Sequence, residues 1–130
     1  MPTSYLTRVV EFTATHRLPG ADFGKAAEDH SHRYRCRVTV RGALRATQGG
    51  VISLHALDAL LQREVVARFD GRHLNRDVPE FAEGRLLPTG EALAVYIWER
   101  IVPGLPPGAT LHAVRVQEND HLYSEYFGEA

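Results

Sequence analysis

The sequence predicts an α+β fold, an antiparallel sheet with two helices on one face, in the order β-β-α-α-β-β. Three observations carry that expectation. Two long N-terminal segments alternate apolar and polar residues, two central segments repeat apolar residues at i+4, and two shorter alternating segments flank Asn119-Asp120 near the end. Alternation sends successive side chains to opposite faces of a strand, and the i+4 repeat gathers them on one face of a helix. Strands joined as hairpins with helices between them place those helices on one side of an antiparallel sheet. The 130 residues, 44% apolar, form one domain over residues 1–130, of the size expected for a single hydrophobic core.

The first predicted strand spans about Tyr5 to Leu18, with Val10, Phe12, Ala14, His16 and Leu18 on one face. Residues 19–29 are rich in turn formers and read as a loop. The second strand, about His30 to Gly42, places His30, His32, Tyr34, Cys36, Val38 and Val40 on one face and Arg33, Arg35, Arg37, Thr39 and Arg41 on the other. A half-buried antiparallel strand has this pattern, and the Arg stripe is read as the polar face of the sheet. Gly49-Gly50 closes the next turn. Ser53 caps a helix carrying Leu57, Leu61, Val65 and Phe69, with Gly71 as its C′ residue. A long loop holds Asn75, Pro79 and Pro88. Thr89 then caps a second helix with Leu93, Ile97 and Ile101, ended by Pro103. Two strands, about Thr110 to Glu118 and Leu122 to Phe127, finish the chain.

Composition excludes several classes. A net charge of −1 does not support a nucleic-acid binder that works through bulk charge. The longest apolar run, Ala92 to Trp98, is far short of the ~20 residues of a membrane span, and Arg8 and Glu11 interrupt any signal-like stretch. One cysteine, Cys36, rules out a disulfide framework and fits a reducing, cytoplasmic setting.

Seven histidines carry most of the functional information. His30 and His32, two apart on a strand, project from the same face. His16 lies on the apolar face of the preceding strand. If those two strands are neighbours, the three rings converge, and three imidazoles with an open fourth position suit catalytic zinc. The spacing alone is also compatible with two partly exposed or core histidines.

The ordered set Phe12-Thr13-Ala14-Thr15-His16-Arg17-Leu18, His30-Ser31-His32-Arg33-Tyr34, Asp70 with Leu74-Asn75, Pro88-Thr89-Gly90-Glu91-Ala92-Leu93-Ala94, Tyr96-Ile97-Trp98 and Val116-Gln117-Glu118 covers nearly the whole chain. It resembles the 6-pyruvoyl-tetrahydropterin synthase and 6-carboxy-tetrahydropterin synthase family, with Ser31 in place of the glycine of an H-G-H-x-Y motif. The resemblance implies the tunnelling fold, a four-stranded antiparallel sheet with two helices that trimerises into a barrel and stacks into a homo-hexamer. It implies zinc on His16, His30 and His32, and 7,8-dihydroneopterin triphosphate or a related pterin as ligand. Glu118 would take the pterin ring N–H groups, with Thr89 and Glu91 on the pterin side.

The chain departs from that pattern where protons move. The family's general-base cysteine precedes the first histidine of H-x-H by four or six residues, positions that are Ala26 and Gly24 here. The family's Asp-His pair is Asp70-Gly71, with His73 two positions further on. Leu54-His55 replaces an aspartate-aromatic pair at the first helix start, where Ser53 takes over the capping. The candidates left for acid–base work are Asp70, His73 and Glu28. Three readings follow: a zinc-dependent lyase with altered acid–base groups, a catalytically inactive zinc- and pterin-binding homologue, or a zinc-bearing scaffold for another small ligand.

Overall fold

The structure, a computed structural model, describes residues 2–44, 50–82 and 85–129. Strand β1, Thr3–His16, pairs antiparallel along its full length with β2, His30–Ala43. The next helix, α1, covers residues 54–69. It is α-helical over Leu54–Leu61, widens to a π-helical turn over Gln62–Val66, where the Ala67 N–H donates to the Gln62 carbonyl, and is α-helical again over Ala67–Phe69. There follow the two-residue strand β3, Arg72–His73, and the short helix α2, Leu74–Asp77. Helix α3, Gly90–Ile101, precedes β4, Thr110–Asn119, and β5, Leu122–Tyr126. The sheet order is β3-β1-β2-β4-β5.

The even-numbered residues of β1 and β2 face the helices. Phe12, Tyr34, Cys36 and Val38 meet Val114 and Val116 of β4 in one core with Leu57, Leu61, Val65 and Phe69 of α1 and Leu93, Ile97 and Ile101 of α3. The helix caps are those expected. Ser53 Oγ accepts from the Ala56 N–H at 3.3 Å, and Thr89 Oγ1 from the Ala92 N–H at 3.1 Å. Gly71 closes α1 with a φ of +74°, a left-handed conformation that favours glycine.

The opposite face of the sheet carries the Arg stripe. Arg33 pairs with Glu11 at 3.1 Å, and Arg115 with Glu125 at 3.2 Å, while Arg35, Arg37 and Arg41 are exposed. No helix among the described residues is long and apolar enough to cross a membrane.

Four features differ from the sequence expectation. The loop expected over residues 19–29 carries 3-10 turns over Ala21–Ala27, broken at Gly24. The sheet gains β3, which pairs parallel with Ala14 and Thr15. Two residues cannot show a periodicity, so composition gave no sign of it. The expected long loop is partly helical, with α2 and a 3-10 turn at Pro79–Phe81. Strand β1 ends at His16 rather than Leu18, because the Arg17 backbone turns to the Asn75 side chain instead of continuing along β2. The turn expected at Gly49-Gly50 has Gly49 outside the described residues.

Candidate functional site

The antiparallel register brings three histidines together. His16 lies opposite His30, and Ala14 opposite His32. All three imidazoles sit on the helix face, at the end of the sheet where α3 begins. Their ring centroids are 4.5 Å (His16 to His30), 5.1 Å (His16 to His32) and 4.9 Å (His30 to His32) apart. Each offers a ring nitrogen, and the three nitrogens lie within 4.8 Å of one another.

Two of the rings are already oriented for a metal. His16 Nδ1 donates to the Pro88 carbonyl at 2.8 Å, and His30 Nδ1 donates to the Glu28 carbonyl at 2.8 Å. A carbonyl only accepts, so the proton sits on Nδ1 and each Nε2 keeps its lone pair. Backbone carbonyls are common outer partners of metal-bound histidine. His16 is fully buried, and its Nε2 has no hydrogen-bond partner. A buried polar atom left unpaired costs about 1–3 kcal/mol, and a metal ion would use it. Burial, followed by the neighbouring charges of His30, His32 and His73, lowers the His16 pKa to about 4, against the opposing Pro88 hydrogen bond. The ring is therefore neutral at pH 7, the form that ligates. Burial also lowers His32, with His30 adding to the shift. The three imidazoles form a site able to hold a metal ion.

Glu118, at the end of β4, faces the same centre. Its Oε1 lies 3.8 Å from His16 Nε2 and 3.7 Å from His32 Nε2. Burial raises its pKa, and Glu91 raises it further. Space for the carboxylate depends on Gly90, the first residue of α3, where a Cβ would stand 2.9 Å from both Glu118 Oε2 and Ser124 Oγ. The positive end of the α3 dipole favours a carboxylate there. Tyr34 packs edge-on against the His16 and His32 rings. Its Oη is 3.3 Å from His16 Nδ1, and burial raises its pKa, with Glu118 contributing.

His16, His30, His32, Gly90 and Glu118 line a cleft of ≈ 290 Å³ that also includes Leu18, Phe23, Ala26, Thr89, Glu91 and Leu122. Ala26 therefore presents a methyl group to the cleft at one of the two positions where the sequence resemblance puts a cysteine. Cys36 lies elsewhere, fully buried in the core, where burial pushes its pKa up to about 12. It packs as a small apolar side chain.

The acid–base candidates stand outside the residues lining the cleft. Asp70 is exposed and its Oδ1 accepts from the Thr13 N–H at 2.9 Å. His73 points to Asp29, with Nε2 3.1 Å from Oδ1. Glu28 is exposed and meets His30 through its carbonyl. Sequence reasoning did not anticipate Pro88 as a partner of His16, or Gly90 as the gap for Glu118. A backbone carbonyl leaves no mark in a sequence, but the glycine inside the Pro88–Ala94 motif was a visible signal.

Comparison with known proteins agrees with this architecture. The family model described as 6-pyruvoyl tetrahydropterin synthase matches residues 5–129. The 6-pyruvoyl tetrahydrobiopterin synthase of Poecilia reticulata is 34% identical over 136 residues, covering 96% of this chain and 90% of that protein. The human enzyme of the same description is 34% identical over 135 residues, covering 95% and 91%. The solved structure of Caenorhabditis elegans 6-pyruvoyl tetrahydropterin synthase superposes with a TM-score of 0.88 at 27% identity, covering 99% of this chain and 98% of that one.

Proposed function

Because the chain belongs to the 6-pyruvoyl tetrahydropterin synthase family, we propose that it is a zinc-dependent pterin protein. It holds zinc on His16, His30 and His32 and binds 7,8-dihydroneopterin triphosphate or a closely related pterin in the adjoining cleft. The observation that carries this reading is the buried His16 Nε2, unpaired beside two further imidazoles and a buried carboxylate.

Each residue has a distinct task. The Pro88 and Glu28 carbonyls hold two imidazoles in the ligating tautomer. A zinc ion so held supplies Lewis acidity toward hydroxyl and carbonyl oxygens. Glu118 accepts hydrogen bonds from the amino-pyrimidine edge of the pterin, for which a carboxylate is a bidentate match. Thr89 and Glu91, which also line the cleft, flank that edge. Positioning a substrate in this way already accelerates a reaction.

Proton transfer is the weak step. Asp70, His73 and Glu28 are the groups proposed for it, and all three stand outside the lining of the cleft. General acid–base groups contribute about 10²–10⁴-fold each. The reading therefore assigns binding to the protein and slow or no turnover to the family's usual lyase products. We further propose a homo-oligomer, a trimer or hexamer. Among the described residues, the outer edge of β5 and most of the outer edge of β1 have no strand partner, and proteins usually cover such edges. Sedimentation at micromolar concentration tests this, and a monomer would contradict it.

Incubating zinc-loaded protein with 7,8-dihydroneopterin triphosphate, with mass spectrometry of bound and released pterins, tests the functional reading. The expected result is stoichiometric binding with product forming well below ~1 s⁻¹. Failure to retain any pterin would overturn it.

A further inference from the structure

The loop between β1 and β2 is gripped at both stems by one short segment of chain. At the first stem, the Arg17 N–H donates to Asn75 Oδ1 at 2.9 Å, and Asn75 Nδ2 donates to the Arg17 carbonyl at 3.0 Å. At the second stem, His73 Nε2 donates to Asp29 Oδ1 at 3.1 Å, and Arg76 Nη2 lies 3.7 Å from Asp29 Oδ2. The gripping segment is itself well fixed. It follows the Gly71 turn, pairs with Ala14 and Thr15 through β3, and is anchored by the His73 N–H donating to Asp77 Oδ2 at 2.8 Å. Leu74 and Asn75 are buried.

The second stem leads directly into the metal centre. The carbonyl that accepts from His30 Nδ1 belongs to the peptide joining Glu28 to Asp29. His16 needs no such help, since it is wholly buried and its partner carbonyl, that of Pro88, lies in a buried residue. His30 is only partly buried, begins its strand, and follows two exposed residues. The plane of the Glu28–Asp29 peptide, and so the direction of the His30 ring, depends on what holds Asp29.

We propose that His73 is a positioning residue of the metal centre. By holding the Asp29 carboxylate it fixes the Glu28–Asp29 peptide, whose carbonyl aims His30 Nε2 at the ion. This rests on the reading of His16, His30 and His32 as the zinc ligands, and it gives His73 a task that moves no proton.

The test is zinc affinity by chelator competition on the full chain, with the visible absorption of the cobalt(II)-substituted protein alongside. Loss of an outer hydrogen-bond partner weakens metal binding about 10–100-fold. His73→Ala, one contact further out, should weaken zinc toward the lower end of that range and shift the cobalt bands. His73→Gln, which keeps an N–H donor, should recover most of the affinity, a rescue that a purely structural role for the imidazole would not give. Asp29→Ala removes the exposed partner without disturbing a buried side chain, and should weaken zinc to a similar extent. It also keeps the test decisive where His73→Ala folds poorly. Unchanged zinc affinity and cobalt spectra in His73→Ala and Asp29→Ala would overturn the proposal alone. Failure of the wild-type protein to bind zinc would overturn the underlying zinc reading as well.

Discussion

His16 and Pro88 are joined by a 2.8 Å hydrogen bond across 72 positions of sequence. That bond ties the end of β1 to the start of α3 and commits the His16 proton to Nδ1. It leaves Nε2 buried, unprotonated and without a partner.

Zinc should therefore stabilise the fold. A ligand that binds only the native state at a hundred times its dissociation constant adds about 2.7 kcal/mol. Scanning calorimetry should show Tm rising with added zinc and falling with chelator. His16→Ala should lose the zinc-dependent rise. A wild-type Tm indifferent to zinc would contradict the assignment.

Glu118 and Gly90 should act on the pterin and not on the metal. Glu118→Gln removes one acceptor for the pterin ring. Gly90→Ala places a methyl within 2.9 Å of the present Glu118 Oε2 and displaces the carboxylate. Titration calorimetry should show pterin binding weakened at least tenfold in both, a loss of about 1.4 kcal/mol, with zinc content near that of the wild type. Loss of zinc in Glu118→Gln would instead make Glu118 part of the metal site.

Ala26 is the position at which activity should be recoverable. It lines the cleft together with His16, His30 and His32. Ala26→Cys should raise turnover of 7,8-dihydroneopterin triphosphate by about 10²-fold or more, the usual contribution of a placed general base. No gain in the zinc-loaded variant would mean that a base at position 26 is not what limits the rate.

The site was partly legible in the sequence because its three histidines lie on strands. The period of two puts His30 and His32 on one face, and the parity of β1 puts His16 on the face shared with Phe12 and Ala14. Only the register, with His16 opposite His30, had to come from folding. The acid–base candidates were less legible because they sit in a bend, a turn and a two-residue strand, where sequence order does not set direction. His73 turned to Asp29, and Asp70 to the Thr13 amide. Strand β3 and helix α2 were illegible for a related reason. Each is too short to repeat, and each is held by a tertiary contact, β3 by pairing with Ala14 and Thr15 and α2 through Asn75 on the Arg17 backbone.

Burial of Cys36 predicts a specific alkaline weakness. Its pKa is pushed up to about 12 in the folded chain, above the unperturbed ~8.5 of a thiol. The native state keeps a proton that the unfolded state releases. The contribution is fully present below about pH 8.5 and is lost as pH rises toward 12, at up to about 1.4 kcal/mol per pH unit. Urea unfolding between pH 8 and pH 10 should show falling stability, and Cys36→Ala should flatten that fall. A thiol reagent at pH 8 should label Cys36 only after unfolding, and rapid labelling of the native protein would contradict the burial.

The most direct test of the central claim is metal analysis of protein purified without chelator, combined with X-ray absorption at the zinc edge. The account predicts about one zinc per chain, bound by three imidazole nitrogens at about 2.0–2.1 Å with a lighter oxygen or nitrogen atom completing the shell. His32→Ala should reduce the zinc content several-fold. Protein that holds no zinc after exposure to the metal, or an edge spectrum showing sulfur coordination from Cys36, would contradict it.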